Sequence, residues 1–580
     1  MASIRRLLTY VARYRAMLLW GILCLIAANL SKAAVPLILQ QAVDALLRGI
    51  TYSLLLRYSV MIIAAALLQG GFVFSQERLL TGMTRKIERD MKNDFYAHLQ
   101  KMPLGFFREN RTGELMARAT NDMNIAVSAG MRAFVYSLNT VVALLVILPL
   151  MARLSWRLTA LAFAPLLLAI IATVFFQERM RSWSEKIQES LGEMCAGAQQ
   201  ALDGVRTVRT YTQERAEIEA FRQINQQYLS HNLRRNRLAN MVYPAMQFFV
   251  GLSFLAVLWY GGNLASSKSL SIGQFLEFIV YLSYVAWPMH ELGEQLTVLQ
   301  QAVVSMGRLD CILSLQPAIQ DLSGAAAIDR IDGGIEFRNV TYTPEGTDRP
   351  ALAGVSFRIK PGQTVGLAGR VGSGKTTLMN MVPRLLDPCS GDILIDGHSV
   401  RHISLKLLRS AIGYVPQETF LFSDTIAANI AFGKPEATQA EIEQAAITAG
   451  LGPDIAAFPD SYQTIVGERG ATLSGGQKQR ISIARAVLPR SSILLLDDAL
   501  SSVDSYTEEK ILSRLRNVRQ GKTCLISSHR ISTLRDADLI LVLHKGTIIE
   551  RGTHAELLAR GGMYAEMYET QLLEEDLAAS

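Results

Sequence analysis

Three short stretches hold residue types spaced for phosphate chemistry. In GLAGRVGSGKTTLMN, residues 366–380, an apolar run enters a helix through Gly369, Arg370, Val371, Gly372, Ser373 and Gly374, followed by Lys375, Thr376 and Thr377. The glycines let backbone N–H groups close on phosphate oxygens, Lys375 reaches the β- and γ-phosphates, and the Thr376 hydroxyl takes Mg2+. In SSILLLDDALSSVDS, residues 491–505, a buried strand delivers Asp497 to its end. An acid there holds the metal through water, or else caps the next helix. In TLSGGQKQRISIARAVL, residues 472–488, Ser474, Gly475, Gly476 and Gln477 open an amphipathic helix whose first N–H groups and dipole suit an anion. A second anion site beside a complete phosphate loop would serve another nucleotide or another chain; the plain alternative is a capped helix.

These motifs need a parallel sheet, and only the second half of the chain reads as one. From about residue 330, short apolar runs are broken by Gly, Asp and Pro, whereas the first 300 residues alternate long apolar runs with basic stretches. The division is a transmembrane domain over 1–310, a linker over 311–334, an α/β nucleotide-binding domain over 335–570 and a tail over 571–580. Half of the 580 residues are hydrophobic, which is high for a soluble protein of this size. The net charge of +7 is the kind that Lys and Arg flanking membrane segments produce, so nucleic acid is not an expected partner. The five cysteines have no paired spacing and predict neither a zinc site nor a disulfide framework.

Six stretches are long enough to cross a bilayer: 17–39, 55–77, 132–152, 157–178, 243–264 and 272–295. The loops 78–131 and 179–242 carry nine and ten Lys and Arg, while 40–54, 153–156 and 265–271 carry one each. The positive-inside rule therefore places both termini, the two long loops and the nucleotide-binding domain in the cytoplasm. The long loops keep helical periodicity, so the membrane helices extend into the cytosol and turn at tips near Thr112–Gly113 and Gly204. Asn139 and Gln247 are polar positions within the spans. Tyr243, Phe248 and Phe249 would line a cavity or face lipid.

The sequence LSGGQ at 473–477, between a phosphate loop and an aspartate-ended strand, is the signature of ATP-binding-cassette proteins. Six spans followed by one such domain resemble, over essentially the whole chain, a half-transporter of the exporter type. The resemblance implies a membrane all-α six-helix domain with long cytosolic helical extensions, then an α/β P-loop ATP-binding cassette, working as a dimer of half-transporters with ATP and Mg2+. In that family each ATP lies between the P-loop of one cassette and the signature of the other. By resemblance, Gln417 in YVPQETFLF is the Q-loop residue that senses Mg2+, Asp504 in LSSVD is the D-loop aspartate, and His529 in ISSHR is the switch histidine. Thr464 to Gly470 resembles the loop that meets the partner's coupling helix, and the tips near 112–123 and 204–214 resemble coupling helices.

Two positions depart from the family pattern. Where many exporters place an adenine-stacking tyrosine this chain has Pro344, with Tyr342 two residues earlier. Where a glutamate polarises the attacking water it has Asp498. A general base must lie about 2.6–3.2 Å from its proton, and losing one methylene shortens that reach. The expectation is therefore the degenerate-site subunit of a bacterial heterodimeric exporter in the cytoplasmic (inner) membrane, moving amphipathic drugs or lipids. The alternatives are a homodimeric lipid flippase, siderophore uptake by an exporter-like fold, and a weakly hydrolysing, ATP-gated regulatory subunit.

Overall fold

The basic N-terminal stretch forms α1 (Ala2–Arg13), and the first apolar run forms α2 (Arg15–Leu47). In this computed structural model residues 2–49, 51–321, 328–344, 346–467, 470 and 472–579 are described. They fall into two units, Met1–Gln100 with Thr112–Leu315, and Lys101–Arg111 with Gln316–Ser580.

Six long helices contain the six predicted stretches: α2, α3 (Tyr52–Leu99), α5 (Thr112–Leu154), α6 (Trp156–Asp203), α8 (Glu214–Ser266) and α9 (Ile272–Leu313). In α9, among the described residues, the segment long and apolar enough to cross a membrane is Gln295–Leu313, and Ile272–Ala286 is a shorter apolar run. At 48 residues, α3 and α6 are each about 72 Å long. That is more than twice the roughly 30 Å of bilayer hydrocarbon, so much of each helix lies beyond the membrane. Leu67, Leu145, Ile171 and Trp259 are exposed on the spans, a surface suited to hydrocarbon rather than water. Inside the unit, α9 packs along α5 and α2, and α6 pairs with α8. Phe278, Tyr281 and Val285 of α9 meet Ala33, Ile147 and Leu166 in a dry core.

The first tip differs from expectation. Thr112 opens no separate short helix but begins the long α5, and the short helix is α4 (Leu104–Glu109), one loop earlier. Extended backbone at Pro103 and Asn110 isolates α4 from its neighbours, and a proline cannot continue a preceding helix. The second tip has α6 ending at Gly204 and a short α7 (Val205–Thr210) following it.

Near its N-terminal start α5 contains two π-type turns, Arg118–Asp122 and Asn124–Ala129, and a side chain from each is tied to another helix. Buried Asp122 accepts from Arg308 Nε of α9 at 2.9 Å and from Ser305 at 3.1 Å. Ser128 donates to Glu88 of α3 at 2.8 Å, and Lys92 pairs with the same carboxylate.

The nucleotide-binding unit has two sheets. The antiparallel one, in order β2-β1-β4-β5, contains β1 (Ile335–Tyr342), β2 (Leu352–Ile359), β4 (Ser390–Ile395) and β5 (His398–Ser399). The larger, in order β10-β9-β3-β8-β7-β6, contains β3 (Thr364–Ala368), β6 (Ile412–Val415), β7 (Ile493–Asp497), β8 (Thr523–Ser527), β9 (Leu539–His544) and β10 (Thr547–Gly552). All but β10 run parallel. Every residue of β7 and β8 is buried, the continuous apolar pattern of a strand covered on both faces. The helix Met563–Ala579 occupies most of the stretch expected as a tail.

Arg308→Met leaves Asp122 buried with only Ser305 as partner and is expected to cost about 1–3 kcal/mol. The lower unfolding temperature of the purified chain reads that loss, and adding Asp122→Asn is expected to restore part of it.

Candidate functional site: a phosphate loop beside a buried acid

The C-terminal end of β3 runs into the loop 369–374 and then the helix Lys375–Met381. Gly369 and Gly374 have φ of 151° and 103°. A Cβ at Gly369 would lie 2.4 Å from the Leu543 carbonyl oxygen, and one at Gly374 2.6 Å from that of Ala351. Only glycine fits these two positions, and the loop backbone keeps the close approach a phosphate needs. Inside the loop, Lys375 Nζ donates to the Gly369 carbonyl at 2.7 Å and to that of Arg370 at 3.2 Å. Burial lowers the pKa of this ammonium, an effect opposed by Asp498 and Asp497.

Asp497 ends β7 almost wholly out of water, at 1 % exposure. Its Oδ1 accepts from Ser527 of β8, while Oδ2 is buried with no partner among the described residues. Burial raises the pKa of this carboxyl, and the Ser527 and Thr376 hydroxyls partly offset the rise. Thr376 Oγ1 also donates to Gln417 Oε1 at 3.4 Å. An orphan carboxylate oxygen, a hydroxyl and an amide oxygen gathered at a phosphate loop form a donor set that fits a divalent cation carried on phosphates. Mg2+ is commonly bound through a carboxylate and substrate phosphates rather than in an all-protein cage. The buried Ser373 Oγ, without a partner among the described residues, adds a polar group within the loop.

Asp498 adopts left-handed backbone, φ 50°, a region in which aspartate is found more often than most side chains. Its N–H donates to the Ser527 carbonyl at 2.9 Å, and its Oδ1 lies 3.5 Å from the His529 N–H. The carboxylate thus sits against the turn that follows β8. Burial and the nearby Lys375 lower the pKa of His529, which favours the neutral ring at pH 7.

The remaining predicted residues lie elsewhere in the unit. Ser474 caps the helix Gly475–Val487 through a reciprocal capping box with Gln477, and Gln477 also donates to Asp454 at 3.0 Å. Asp504 caps the helix Ser505–Arg519 by accepting from Thr507 N at 2.9 Å. Among the described residues no hydrogen bond or ion pair joins Ser474, Gly475, Gly476, Gln477 or Asp504 to the phosphate loop. Val371 is exposed on the loop, and Thr377 lies in the first turn of its helix. Tyr342 pairs with Leu352 across β1 and β2 and packs half-buried against the core of the antiparallel sheet. In the 464–470 loop, Glu468 and Arg469 lie outside the described residues.

Sequence reasoning missed three contributors. Ser527 supports Asp497 from the neighbouring strand. Gln571 accepts from Ile531 N at 2.8 Å and donates to the His529 carbonyl at 3.4 Å, and Glu566 pairs with Arg370 at 2.9 Å. The last two come from the C-terminal helix, some 40 to 200 residues from their partners in sequence, where no local pattern marks them.

Residues 18–289 match the family model described as "ABC transporter transmembrane region", and residues 352–501 match the one described as "ABC transporter". The "Probable multidrug resistance ABC transporter ATP-binding/permease protein YheI" of Bacillus subtilis is 36% identical over 95% of each chain. The "ATP-dependent lipid A-core flippase" of Syntrophus aciditrophicus is 34% identical, over 96% of this chain and 92% of its own. A solved bacterial Atm1-family ABC exporter with ATP bound superposes with a TM-score of 0.80 at 29% identity, covering 97% of this chain and 99% of that one.

Asp497→Asn removes a buried, half-satisfied charge. In the nucleotide-free chain it is expected to raise the unfolding temperature at pH 7 by about 2–4 °C, while abolishing metal-dependent nucleotide hydrolysis. Because the native carboxyl titrates above the ordinary carboxylate range, the gain is full above that raised pKa. It fades as pH falls through it and the native side chain becomes neutral too.

Proposed function

The chain belongs to the ABC transporters, and from that premise we propose that it is the slowly hydrolysing subunit of a heterodimeric exporter of amphipathic drugs or lipids in the bacterial inner membrane. It is an integral membrane protein with six long apolar helices and an ATPase that couples hydrolysis to transport. The proposal adds the inequality of the two sites, the cargo class and the orientation, with both termini and the ATPase unit in the cytoplasm.

The observation that carries the inequality is Asp498. When bound, Mg-ATP supplies the γ-phosphoryl group whose transfer to water drives the cycle. The loop 369–374 and Lys375 bind its phosphates, and Thr376, Gln417 and Asp497 hold the metal. His529 contacts the γ-phosphate and Asp498 orients the water. A glutamate there would extend one methylene further; misplacing a catalytic group by about 1 Å can cost about a hundredfold. Meanwhile Ser474, Gly475, Gly476, Gln477 and Asp504 keep the family pattern, which is what completing a partner's site requires. Two identical chains would carry the weak base twice, whereas a partner with its own glutamate would hydrolyse at full rate against this signature.

A second reading, a homodimeric lipid flippase in which Asp498 suffices, draws on the resemblance to lipid A-core flippases over nearly the whole chain. Purification of the tagged chain from its native membrane separates the two. A second, different half-transporter at one-to-one ratio supports the heterodimer, and a complex of identical chains supports the flippase.

Asp498→Glu is expected to raise hydrolysis at this chain's own site by about a hundredfold. The check is the rate at which ATP is hydrolysed on this chain's own phosphate loop in the complex purified from its native membrane, and an unchanged rate contradicts the assigned role of Asp498.

A further inference from the structure

The membrane unit holds a cation at bilayer depth that the ATPase reading leaves unexplained. Lys32 lies near the middle of the 33-residue α2, 17 residues after Arg15 and 15 before Leu47. Within the apolar stretch 17–39 it lies about 10 Å from the Leu39 end, and its side chain is turned to α9. Its ammonium stands 4.5 Å from the ring centre of Tyr284 on α9. A ring face stabilises a cation without neutralising it. Among the described residues Lys32 makes no ion pair.

The surroundings are rich in donors. One turn away on α2, buried Asn29 donates to Asn139 Oδ1 of α5 at 2.8 Å and to the Leu25 carbonyl at 2.9 Å. That arrangement leaves the Asn139 amide N–H groups and the Tyr284 hydroxyl without an acceptor among the described residues. The described acids of α9 nearest to Tyr284, Glu277 and Glu291, each lie seven residues from it, about 10 Å along the axis. Three helices therefore bring an ammonium, an amide and a phenol to one level of the bilayer, with no described carboxylate at that level. An uncompensated lysine at this depth is costly, and such residues are functional candidates by default.

Building on the transporter reading, we propose that Lys32, with Tyr284 and Asn139, forms a site for the anionic headgroup of an amphipathic cargo, a phosphate or carboxylate on an apolar tail. The bound anion supplies the counter-charge that the protein does not. The apolar faces of α2, α5 and α9 then meet the tail. Cationic amphiphiles are disfavoured there because they would add like charge beside Lys32.

The test is equilibrium binding of radiolabelled dodecyl phosphate, dodecanoate and dodecyltrimethylammonium to the full chain in nanodiscs of phosphatidylcholine alone, corrected against empty nanodiscs. Wild type is expected to bind both anions at least about tenfold tighter than the ammonium, with the stronger of the two identifying the headgroup. Lys32→Met should erase that preference and Lys32→Arg should keep it, while unchanged ATP affinity in both variants verifies the fold. Equal binding of anion and cation by wild type, or a preference that survives Lys32→Met, overturns the proposal. ATP-driven transport in vesicles is measured separately: charge-selective binding that depends on Lys32 without transport refutes the exporter reading and leaves the site standing.

Discussion

Everything in the nucleotide-binding unit is arranged around one carboxylate kept out of water with an oxygen to spare. Asp497 is delivered by a strand buried along its whole length, steadied by Ser527 on one oxygen and, among the described residues, unpartnered on the other. A half-satisfied buried acid destabilises the folded chain, so its presence is an expense of function rather than of stability. The phosphate loop, which follows β3 two strands away in the same sheet, supplies the complementary need, a place where a phosphate-bound metal ion would bring positive charge to that oxygen. The parallel sheet makes this possible, because β3, β7 and β8 all release their C-terminal ends on the same side.

That geometry gives Asp498 its meaning. It follows Asp497 on left-handed backbone, with its N–H bound to the Ser527 carbonyl and its carboxylate near the N–H of His529. Asp497, Asp498 and His529 therefore share one short ledge formed by the ends of β7 and β8. A change of one methylene at the second position leaves binding groups untouched and alters only reach. This separation between holding a nucleotide and hydrolysing it underlies the proposed division of labour between unequal subunits.

Much of this was legible in the sequence because the relevant physics is local. A phosphate loop, a strand ending in acid and a capped signature helix each occupy fewer than 20 consecutive residues, and six apolar runs announce six long helices. The errors and omissions arise where the determinant is distant. The boundary between Leu104–Glu109 and α5 depends on extended backbone at Asn110 rather than on the Thr112–Gly113 pair. Gln571 reaches the switch loop from a helix about 40 residues downstream. Likewise, Lys32 and Tyr284 are separated by most of the membrane unit, and only the packing of α9 against α2 reveals their contact. Periodicity places side chains on a helix face but does not say which other helix that face will meet.

The central claim concerns which of two sites hydrolyses. Its most direct test traps the complex purified from its native membrane during turnover with a radiolabelled, photoactivatable ATP analogue, then identifies the nucleotide crosslinked to each chain. The account predicts unhydrolysed triphosphate on this chain's phosphate loop and diphosphate on that of a different partner chain. Equal hydrolysis at both sites, or a working complex built from two copies of this chain, would contradict it.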